Sequence, residues 1–188
     1  MNKRTLIILI ILFIILVGLV LAYFFIFKKA PTQEIVQTEM NKEGFIVDLP
    51  EGWVEVETVM GSSATAINNQ EQINNADAVK IGFRSYYSVV HDSFNEETND
   101  DYLEKIETSL KGNFPEVKIL KEEGKTLSGG PIYFIEADIN QQNIDFKVLL
   151  AVNIKDKEVW IISFNTLKES WEGYKNLFHQ IAENFQIK

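Results

Sequence analysis

The sequence predicts an α+β domain, an antiparallel sheet of about six to seven strands packed with two main helices, preceded by one transmembrane helix. Three observations lead to this prediction: an uncharged apolar stretch at the N-terminus, short segments that alternate apolar and polar residues, and two segments with apolar residues every three or four positions. Alternation is typical of strands, and the longer period is typical of helices. Because the strands are joined by short turns, we expect them to pair antiparallel.

The first element is an apolar segment that runs from Leu6 to Phe27 without a charge, a proline or an amide. At about 1.5 Å per residue its helix would span ~33 Å, against ~30 Å for the bilayer hydrocarbon core. A cleaved signal peptide, cut after Ala22, is the alternative, but its apolar region would be only ~7–15 residues long. We therefore predict an uncleaved single-pass anchor that contacts the lipid bilayer through residues 6–27.

Charge alone does not orient this anchor, because Lys3 and Arg4 on one side balance Lys28 and Lys29 on the other. The short N-terminal tail is retained in the cytoplasm more easily than a large domain. We expect a cytoplasmic tail and anchor at residues 1–29, a stalk at residues 30–43 and one extracytoplasmic domain at residues 44–188. This topology places the protein in the cell membrane.

Composition excludes several classes of partner. The chain has no cysteine, so it can form neither a lipid thioether anchor nor disulfides, and a structural zinc site is excluded. After residue 29 there are 14 Lys and Arg against 27 Asp and Glu, a formal charge of −13. Such a domain repels nucleic acid. We expect a protein partner instead, and the lack of cysteine favours a bacterial surface or periplasmic protein.

The first half of the domain reads as strands and a loop. Residues 44–57 predict a strand, a turn at Pro50 to Gly52 and a second strand. Residues 58–75 are polar and predict a loop with a short strand near residues 63–67. Residues 78–90 alternate around Val79, Ile81 and Phe83, and predict a half-covered strand.

The first main helix is predicted to start at Thr98 to Asp101, where side chains can cap free amides. Its core-facing positions are Leu103, Ile106 and Leu110, and it ends before Pro115. Four strands follow, at residues 117–126, 133–139, 144–152 and 158–164, with a turn at residues 129–131 and hairpins at residues 140–143 and 155–157.

The second main helix closes the chain. Thr166 and Glu169 have the spacing of a capping box, which predicts the helix start. Its apolar stripe is predicted to pack on the sheet, and consists of Trp171, Tyr174, Phe178, Ile181 and Phe185.

Four stretches mark the order of these elements: GF leading into LPEGW, YLEKI in a helix that ends in NFP, GGPIYFIEAD in a strand, and ESWEGYKNLFHQIAENFQI at the end. This order resembles that of the PsbP-like family. The resemblance covers residues 44–188 and leaves out the apolar segment. It implies an α/β sandwich and a binding or assembly role, since members include extrinsic photosystem subunits and a nuclear transport factor that binds a small GTPase. It carries no functional residue over to this chain.

Few residues are candidates for chemistry. His91, Asp92 and Ser93 are the residue types of a hydrolytic triad, but neighbours in an extended chain point in different directions. His179 is expected beside the apolar stripe, half-exposed. Glu136 and Asp138 share one face of a strand and are either paired carboxylates or solvated.

An acidic cluster before the first main helix invites a calcium hypothesis, but it lacks the ligand spacing and central glycine of an EF-hand loop. A solvated loop and helix cap is the simpler interpretation. The cluster consists of Asp92, Glu96, Glu97, Asp100 and Asp101.

We therefore assign no catalytic, cofactor-binding or metal-ligating residue, and predict a non-catalytic, membrane-anchored binding or assembly module. One alternative is a membrane-tethered hydrolase or metal-dependent enzyme. Another is an envelope structural protein whose anchor packs against partner helices through Gly18 and Ala22, a weak small-residue motif.

Overall fold

A computed structural model of the chain describes residues 38–58, 61–121, 124–127 and 130–188. The predicted transmembrane segment at residues 6–27, and the predicted stalk as far as residue 37, lie outside the described residues. Within the described ranges, no helix has both the length and the apolar character that crossing a membrane requires.

The described residues form eleven strands, three α-helices and one 3-10 turn. The strands are β1 (Glu39–Lys42), β2 (Phe45–Asp48), β3 (Trp53–Val56), β4 (Ala64–Asn68), β5 (Tyr86–Ser93), β6 (Lys118–Lys121), β7 (Lys125–Leu127), β8 (Gly130–Gln141), β9 (Ile144–Lys155), β10 (Glu158–Leu167) and β11 (Gln186–Ile187). The helices are α1 (Ala76–Lys80), α2 (Asn99–Asn113) and α3 (Trp171–Glu183), and the 3-10 turn is Lys168–Ser170.

The strands form two antiparallel sheets. The large sheet has eight strands in the order β3-β4-β5-β10-β9-β8-β6, with β7 also paired to β8, and the small sheet has the order β1-β2-β11. The two long hairpins turn through Gln142 and Asn143 (φ 53° and 63°) and through Asp156 and Lys157 (φ 50° and 67°). Such left-handed pairs match the twist of antiparallel strands. The predicted α+β class and both predicted hairpins are confirmed.

The large sheet is covered on both faces. On one face lie α3 and the small sheet, around a core rich in aromatic side chains that includes Trp53, Phe164 and Phe178. On the other face lies α2, around a largely aliphatic core that includes Ile106 and Leu150. We call these the α3 face and the α2 face. A smaller cluster packs around α1, with Phe83, Tyr86 and Phe146 among its members.

The strand predicted for residues 78–90 is wrong in its first half. Asn75 Oδ1 accepts hydrogen bonds from the backbone N–H groups of Asp77 and Ala78, at 3.1 and 3.0 Å, and so caps α1. Gly82, at φ 65°, then reverses the chain before β5 begins at Tyr86. An N-cap asparagine thus outweighed the apparent alternation.

Two further boundaries differ from the prediction. Residues 39–42, which were assigned to the stalk, form β1, and Met40 is fully buried in the core of the α3 face. Gly130 and Pro131, which were assigned to a turn, already belong to β8. Both segments are polar or rich in turn residues, and each pairs with a segment close to it in the chain, Met40 with Val47 and Gly130 with Leu127.

The starts of the two main helices had different outcomes. The start of α2 at Thr98 is confirmed, with a complete capping box formed by Thr98 and Asp101. The capping box predicted from Thr166 and Glu169 is wrong, because Thr166 is the ninth residue of β10 and the helix begins only at Trp171. The predicted apolar stripe of α3 does pack on the sheet.

Candidate functional site

A row of polar side chains crosses the α3 face, where apolar residues would be expected. Thr166 on β10 lies opposite Lys147 on β9, which lies opposite Asp138 on β8, and Glu136 is on the same face of β8. We call these four residues the polar row. Lys147 and Glu136 are each 6% exposed, and Thr166 is fully buried. Charged side chains are rarely buried unless they are paired, so the contacts within the row determine its chemistry.

The charges of the row are matched. Lys147 Nζ donates to Glu136 Oε1 at 2.6 Å and forms a second ion pair with Asp138. Lys168, from the 3-10 turn, donates to the other oxygen of Asp138 at 2.7 Å. Two lysines and two carboxylates therefore form one alternating cluster. Breaking such a buried pair leaves an uncompensated charge, which makes the cluster costly to disturb.

The surroundings keep Asp138 and Lys147 ionised. Burial acts to raise the pKa of the Asp138 carboxyl, but hydrogen bonds and charge from Lys147 and Lys168 outweigh it, so the pKa lies below its usual value. Burial likewise acts to lower the pKa of Lys147, but Asp138 and Glu136 outweigh it and raise the pKa. A general acid or base works best with a pKa near the operating pH. Both pKa values are shifted away from neutral pH, so Asp138 and Lys147 are suited to a structural ion pair.

The cluster also fixes the beginning of α3. Trp171, the first residue of the helix, is 5% exposed, and its ring centroid lies 5.5 Å from Lys147 Nζ and 5.9 Å from Lys175 Nζ. A cation at this distance from a tryptophan ring is attracted by the ring quadrupole. Ser170, the N-cap residue, makes no side-chain hydrogen bond to the helix. The first turn of α3 is therefore held by the side chains beneath it.

A second polar group continues the row toward β4. The Thr166 and Ser85 hydroxyls lie 2.7 Å apart, and Glu71 accepts hydrogen bonds from the backbone N–H and hydroxyl of Ser85 at 2.5 and 2.7 Å. Asn68 Nδ2 donates to the Tyr174 hydroxyl at 2.8 Å. Burial, followed by the charge of Glu71, raises the pKa of Tyr174 to about 12. Tyr174 therefore stays protonated, and the group joins α3 to the loop before α1.

The nearest approach to catalytic chemistry here is Ser85, whose hydroxyl lies beside the Glu71 carboxylate. Ser85 is fully buried, and its hydroxyl is bonded to both Glu71 and Thr166. A nucleophile has to reach its substrate with its base in contact. In this conformation the arrangement holds α3 and the loop on the sheet, and exposes no nucleophile.

Sequence reasoning placed Glu136 and Asp138 on one face of a strand, as either paired or solvated carboxylates, but missed Lys147, which joins them. A signal was present, because the five residues after Lys147 are apolar without interruption. An uninterrupted apolar run indicates a strand that is buried on both faces. A lysine next to such a run has to find buried partners, and Glu136 and Asp138 supply them.

The residue types of a hydrolytic triad are not brought together, because His91 and Asp92 lie on opposite faces of the sheet. His91 lies on the α3 face, where its ring stacks on Trp160 with 4.2 Å between ring centroids and its Nε2 contacts the Glu158 carboxylate. Asp92 lies on the α2 face, where its carboxylate accepts a hydrogen bond from the Tyr102 hydroxyl at 2.8 Å. The prediction that the adjacent residues cannot form a relay agrees with this arrangement. His179 packs its ring against Phe134, 4.5 Å between centroids.

The acidic cluster is distributed among separate contacts. Glu96 pairs with Lys105 at 2.5 Å, and Asp101 accepts hydrogen bonds from the Thr98 backbone N–H and hydroxyl at 2.9 and 2.8 Å. Within the described ranges, no three His, Cys, Asp or Glu side chains are grouped so that they could hold a metal ion. The two remaining carboxylates are exposed at the start of α2, at Glu97 and Asp100.

A family model described as PsbP matches residues 36–187, well over half of the chain. A search of curated proteins finds no match. Among solved structures, cyanobacterial PsbP (CyanoP) from Synechocystis sp. PCC 6803 is similar with a TM-score of 0.57 and 14% identity, covering 85% of this chain and 98% of that one. LpqN, involved in cell envelope biogenesis of Mycobacterium tuberculosis, is similar with a TM-score of 0.53 and 12% identity, covering 85% of this chain and 99% of that one. At these identities the similarity shows the fold.

Proposed function

The chain belongs to the PsbP family, and on this premise we propose that it is a membrane-anchored, non-catalytic binding or assembly module that works outside the cytoplasm. The observation that carries the proposal is the position of the family domain in the chain. The family match begins at residue 36, directly after the apolar segment at residues 6–27 and a few polar residues. The domain is therefore attached to a segment of membrane-spanning length and composition.

The attachment is short. The first described hydrogen bond of the domain joins the Thr38 carbonyl to the Leu49 N–H at 2.9 Å. In the sequence ten residues, 28–37, lie between the apolar segment and Thr38, and a flexible chain of this length reaches roughly 17 Å root-mean-square. The domain is then held close to the outer surface of the bilayer, where a binding partner would be another envelope protein.

Two further observations support the proposal. LpqN, which has a similar fold, is involved in cell envelope biogenesis, and we propose a role of the same broad class for this chain. The polar row is engaged in internal ion pairs beneath Trp171, which suits a rigid binding domain. The alternative of a tethered hydrolase or metal-dependent enzyme requires His91 or the acidic side chains to converge on a site, and they lie apart on two faces of the sheet.

Cysteine labelling tests the topology directly, because the natural chain has no cysteine. Thr108 is exposed on α2, so Thr108→Cys places one thiol on the domain, and Asn2→Cys places one in the N-terminal tail. We expect a membrane-impermeant maleimide to label Thr108→Cys in intact cells or spheroplasts, and to label Asn2→Cys only after permeabilisation.

The opposite labelling pattern would reject the proposed orientation. Labelling of both variants, or loss of the protein from the membrane fraction on carbonate extraction, would reject a spanning anchor. Deletion of residues 6–27 is the matched control, and we expect it to release the domain from the membrane fraction.

A further inference from the structure

The two edges of the large sheet are built differently. On one side the edge consists of β6 and β7, which present the exposed Lys118 and Lys125 and form two separate short strands. Lysines and interruptions of this kind prevent pairing with other chains. On the other side the edge is β3, with the sequence WVEV, which has neither lysine nor proline. Within the described ranges, β3 pairs with β4 alone.

The backbone of β3 is oriented so that it can accept another strand. The Asn69 N–H donates to the Gly52 carbonyl at 2.9 Å. Because backbone groups alternate in direction along an antiparallel strand, those of Val54 and Val56 also face β4, and those of Trp53 and Glu55 face outward. The Trp53 N–H is occupied by the Pro50 carbonyl at 3.0 Å. The outward groups are therefore the Trp53 carbonyl and both backbone groups of Glu55.

The side chains next to this edge form an aliphatic surface on the α2 face. Val54 is 39% exposed and lies directly opposite Ile67, which is partly exposed. Val56 and Ile73 are also partly exposed, and Ile67 and Ile73 both pack against the cluster around α1. The core beneath α2 includes no residue of β3 or β4, so α2 leaves this end of the face open. We call Val54, Val56, Ile67 and Ile73 the edge patch.

The charges around the edge indicate what it would bind. Glu51 and Glu57 are exposed at the two ends of β3. Glu55, on the α3 face of the strand, is paired with Lys42 at 2.5 Å. A second copy of β3 fits poorly, because antiparallel pairing of Trp53 with Glu55 of the other copy would place Glu51 opposite the other Glu57. Like charges directly opposite each other destabilise a strand pair.

We propose that β3 and the edge patch bind an extended segment of a partner protein, with aliphatic residues at alternate positions and lysine or arginine between them, which adds to the sheet as a ninth strand. Main-chain hydrogen bonds to Trp53 and Glu55 supply affinity, and the edge patch and the glutamates supply specificity. This inference deepens the proposed function as a binding module by naming its binding surface and the class of its partner.

The test uses the full-length protein in detergent and a fluorescent octapeptide of alternating valine and lysine as the probe, with an octapeptide of alternating valine and glutamate as its control. We expect the valine–lysine peptide to bind, and binding to weaken as salt is raised. Val54→Lys should weaken it at least tenfold, and Leu120→Lys should leave it unchanged. Leu120 is the matched control because it is exposed (57%) on the opposite edge.

Hydrogen exchange gives a second readout that does not depend on the variants. On peptide binding, the Glu55 amide should gain protection, and amides of β6 should not. The circular dichroism melting of both variants should match that of the natural chain, since each replaces a partly exposed side chain.

Several results would overturn the inference: no binding of the valine–lysine peptide, equal binding of the valine–glutamate peptide, or equal weakening by the two variants. A dimer in light scattering that Val54→Lys converts to a monomer would make β3 a self-association edge instead. These outcomes are distinct from failure of the proposed topology, because the maleimide labelling of Thr108→Cys does not involve β3.

Discussion

The two main helices cover opposite faces of one sheet, but their starts are determined in different ways. α2 begins at a capping box in which the Asp101 N–H donates to the Thr98 hydroxyl at 3.2 Å and the Thr98 N–H donates to the Asp101 carboxylate at 2.9 Å. α3 begins at Trp171, with no side-chain cap, above Lys147. The start of α2 is therefore determined by four neighbouring residues, and the start of α3 by the sheet beneath it.

The cores under the two helices also differ, because the core under α3 is rich in aromatic side chains and the core under α2 is largely aliphatic. Phe178 of α3 is fully buried. Its ring centroid lies 4.8 Å from that of Phe164 and 5.3 Å from that of Tyr174. α2 packs largely through aliphatic side chains such as Ile106, which is 5% exposed. Aromatic pairs add a geometric preference to the area that they bury. We infer that α3 depends more on the sheet than α2 does.

The largest expected effect is that of Phe178→Ala, which removes the central ring beneath α3. We expect the free energy of unfolding to fall by about 4 kcal/mol, because a buried phenylalanine leaves a cavity among rings that cannot all move to fill it. Ile106→Ala on the other face should cost about 3 kcal/mol. Urea unfolding of both variants measures the difference, and a larger loss for Ile106→Ala would contradict the inference about α3.

The next effect is that of Lys147→Ala, which leaves the buried Glu136 and the half-buried Asp138 with Lys168 as the remaining cation. We expect a loss of about 3 kcal/mol in the free energy of unfolding, because the carboxylates lose their closest partner. Lys80→Ala is the control, because Lys80 forms an exposed ion pair with Asp77, three residues earlier on the same helix. It should change the free energy of unfolding by under ~0.5 kcal/mol. Equal effects of the two substitutions would show that the polar row does not hold α3.

Lowering the pH should remove the part of the folding stability that the ionised Asp138 carboxylate supplies. The lowered pKa of Asp138 means that folding favours its ionised form, so the stability it adds is fully present above the unfolded value near 3.8 and is lost as pH falls through the lower folded value. We expect the difference in unfolding free energy between the natural chain and Asp138→Asn to be constant above about pH 5 and to shrink below about pH 4. Urea titrations across this range measure it, and a difference that grows in acid would contradict the assignment.

The smallest expected changes in the free energy of unfolding are those of substitutions at the two helix starts. Thr98→Ala removes the capping hydroxyl of α2 and should cost about 1 kcal/mol. Ser170→Ala, at the equivalent position of α3, should cost close to zero, because the Ser170 side chain makes no capping hydrogen bond. Chemical unfolding of both variants checks the comparison, and a cost for Ser170→Ala as large as that for Thr98→Ala would remove the distinction.

The same distinction explains which parts of the fold the sequence could predict. Three features are determined by residues close together in the chain, and all were predicted: the start of α2, the hairpins at residues 140–143 and 155–157, and the apolar stripe of α3. The start of α3 depends on Lys147, more than twenty residues earlier, and the predicted box at Thr166 and Glu169 was wrong. A matching pair of residue types is not a cap when the strand continues through it.

The remaining errors have other causes. β1 was predicted as part of the stalk because EMNK is polar, yet Met40 is buried by its register with Val47. Alternation of single residues did not distinguish α1 from a strand, and only Asn75 carried the signal. The polar row was found in part, as two carboxylates on one face, because its lysine comes from the neighbouring strand.

The pairing of β11 with β2 has a practical consequence for anyone who prepares the domain. The Lys188 N–H donates to the Gly44 carbonyl at 3.0 Å, and Lys188 Nζ donates to Asn41 Oδ1 at 2.5 Å, so Lys188 is bound both to β1 and to the turn after it. A soluble fragment that starts at Gly44 would lack β1, and one trimmed at the C-terminus would lack β11. We expect a fragment that begins at or before Thr38 and ends at Lys188, with its purification tag placed at the N-terminus, to be the shortest that keeps the small sheet whole.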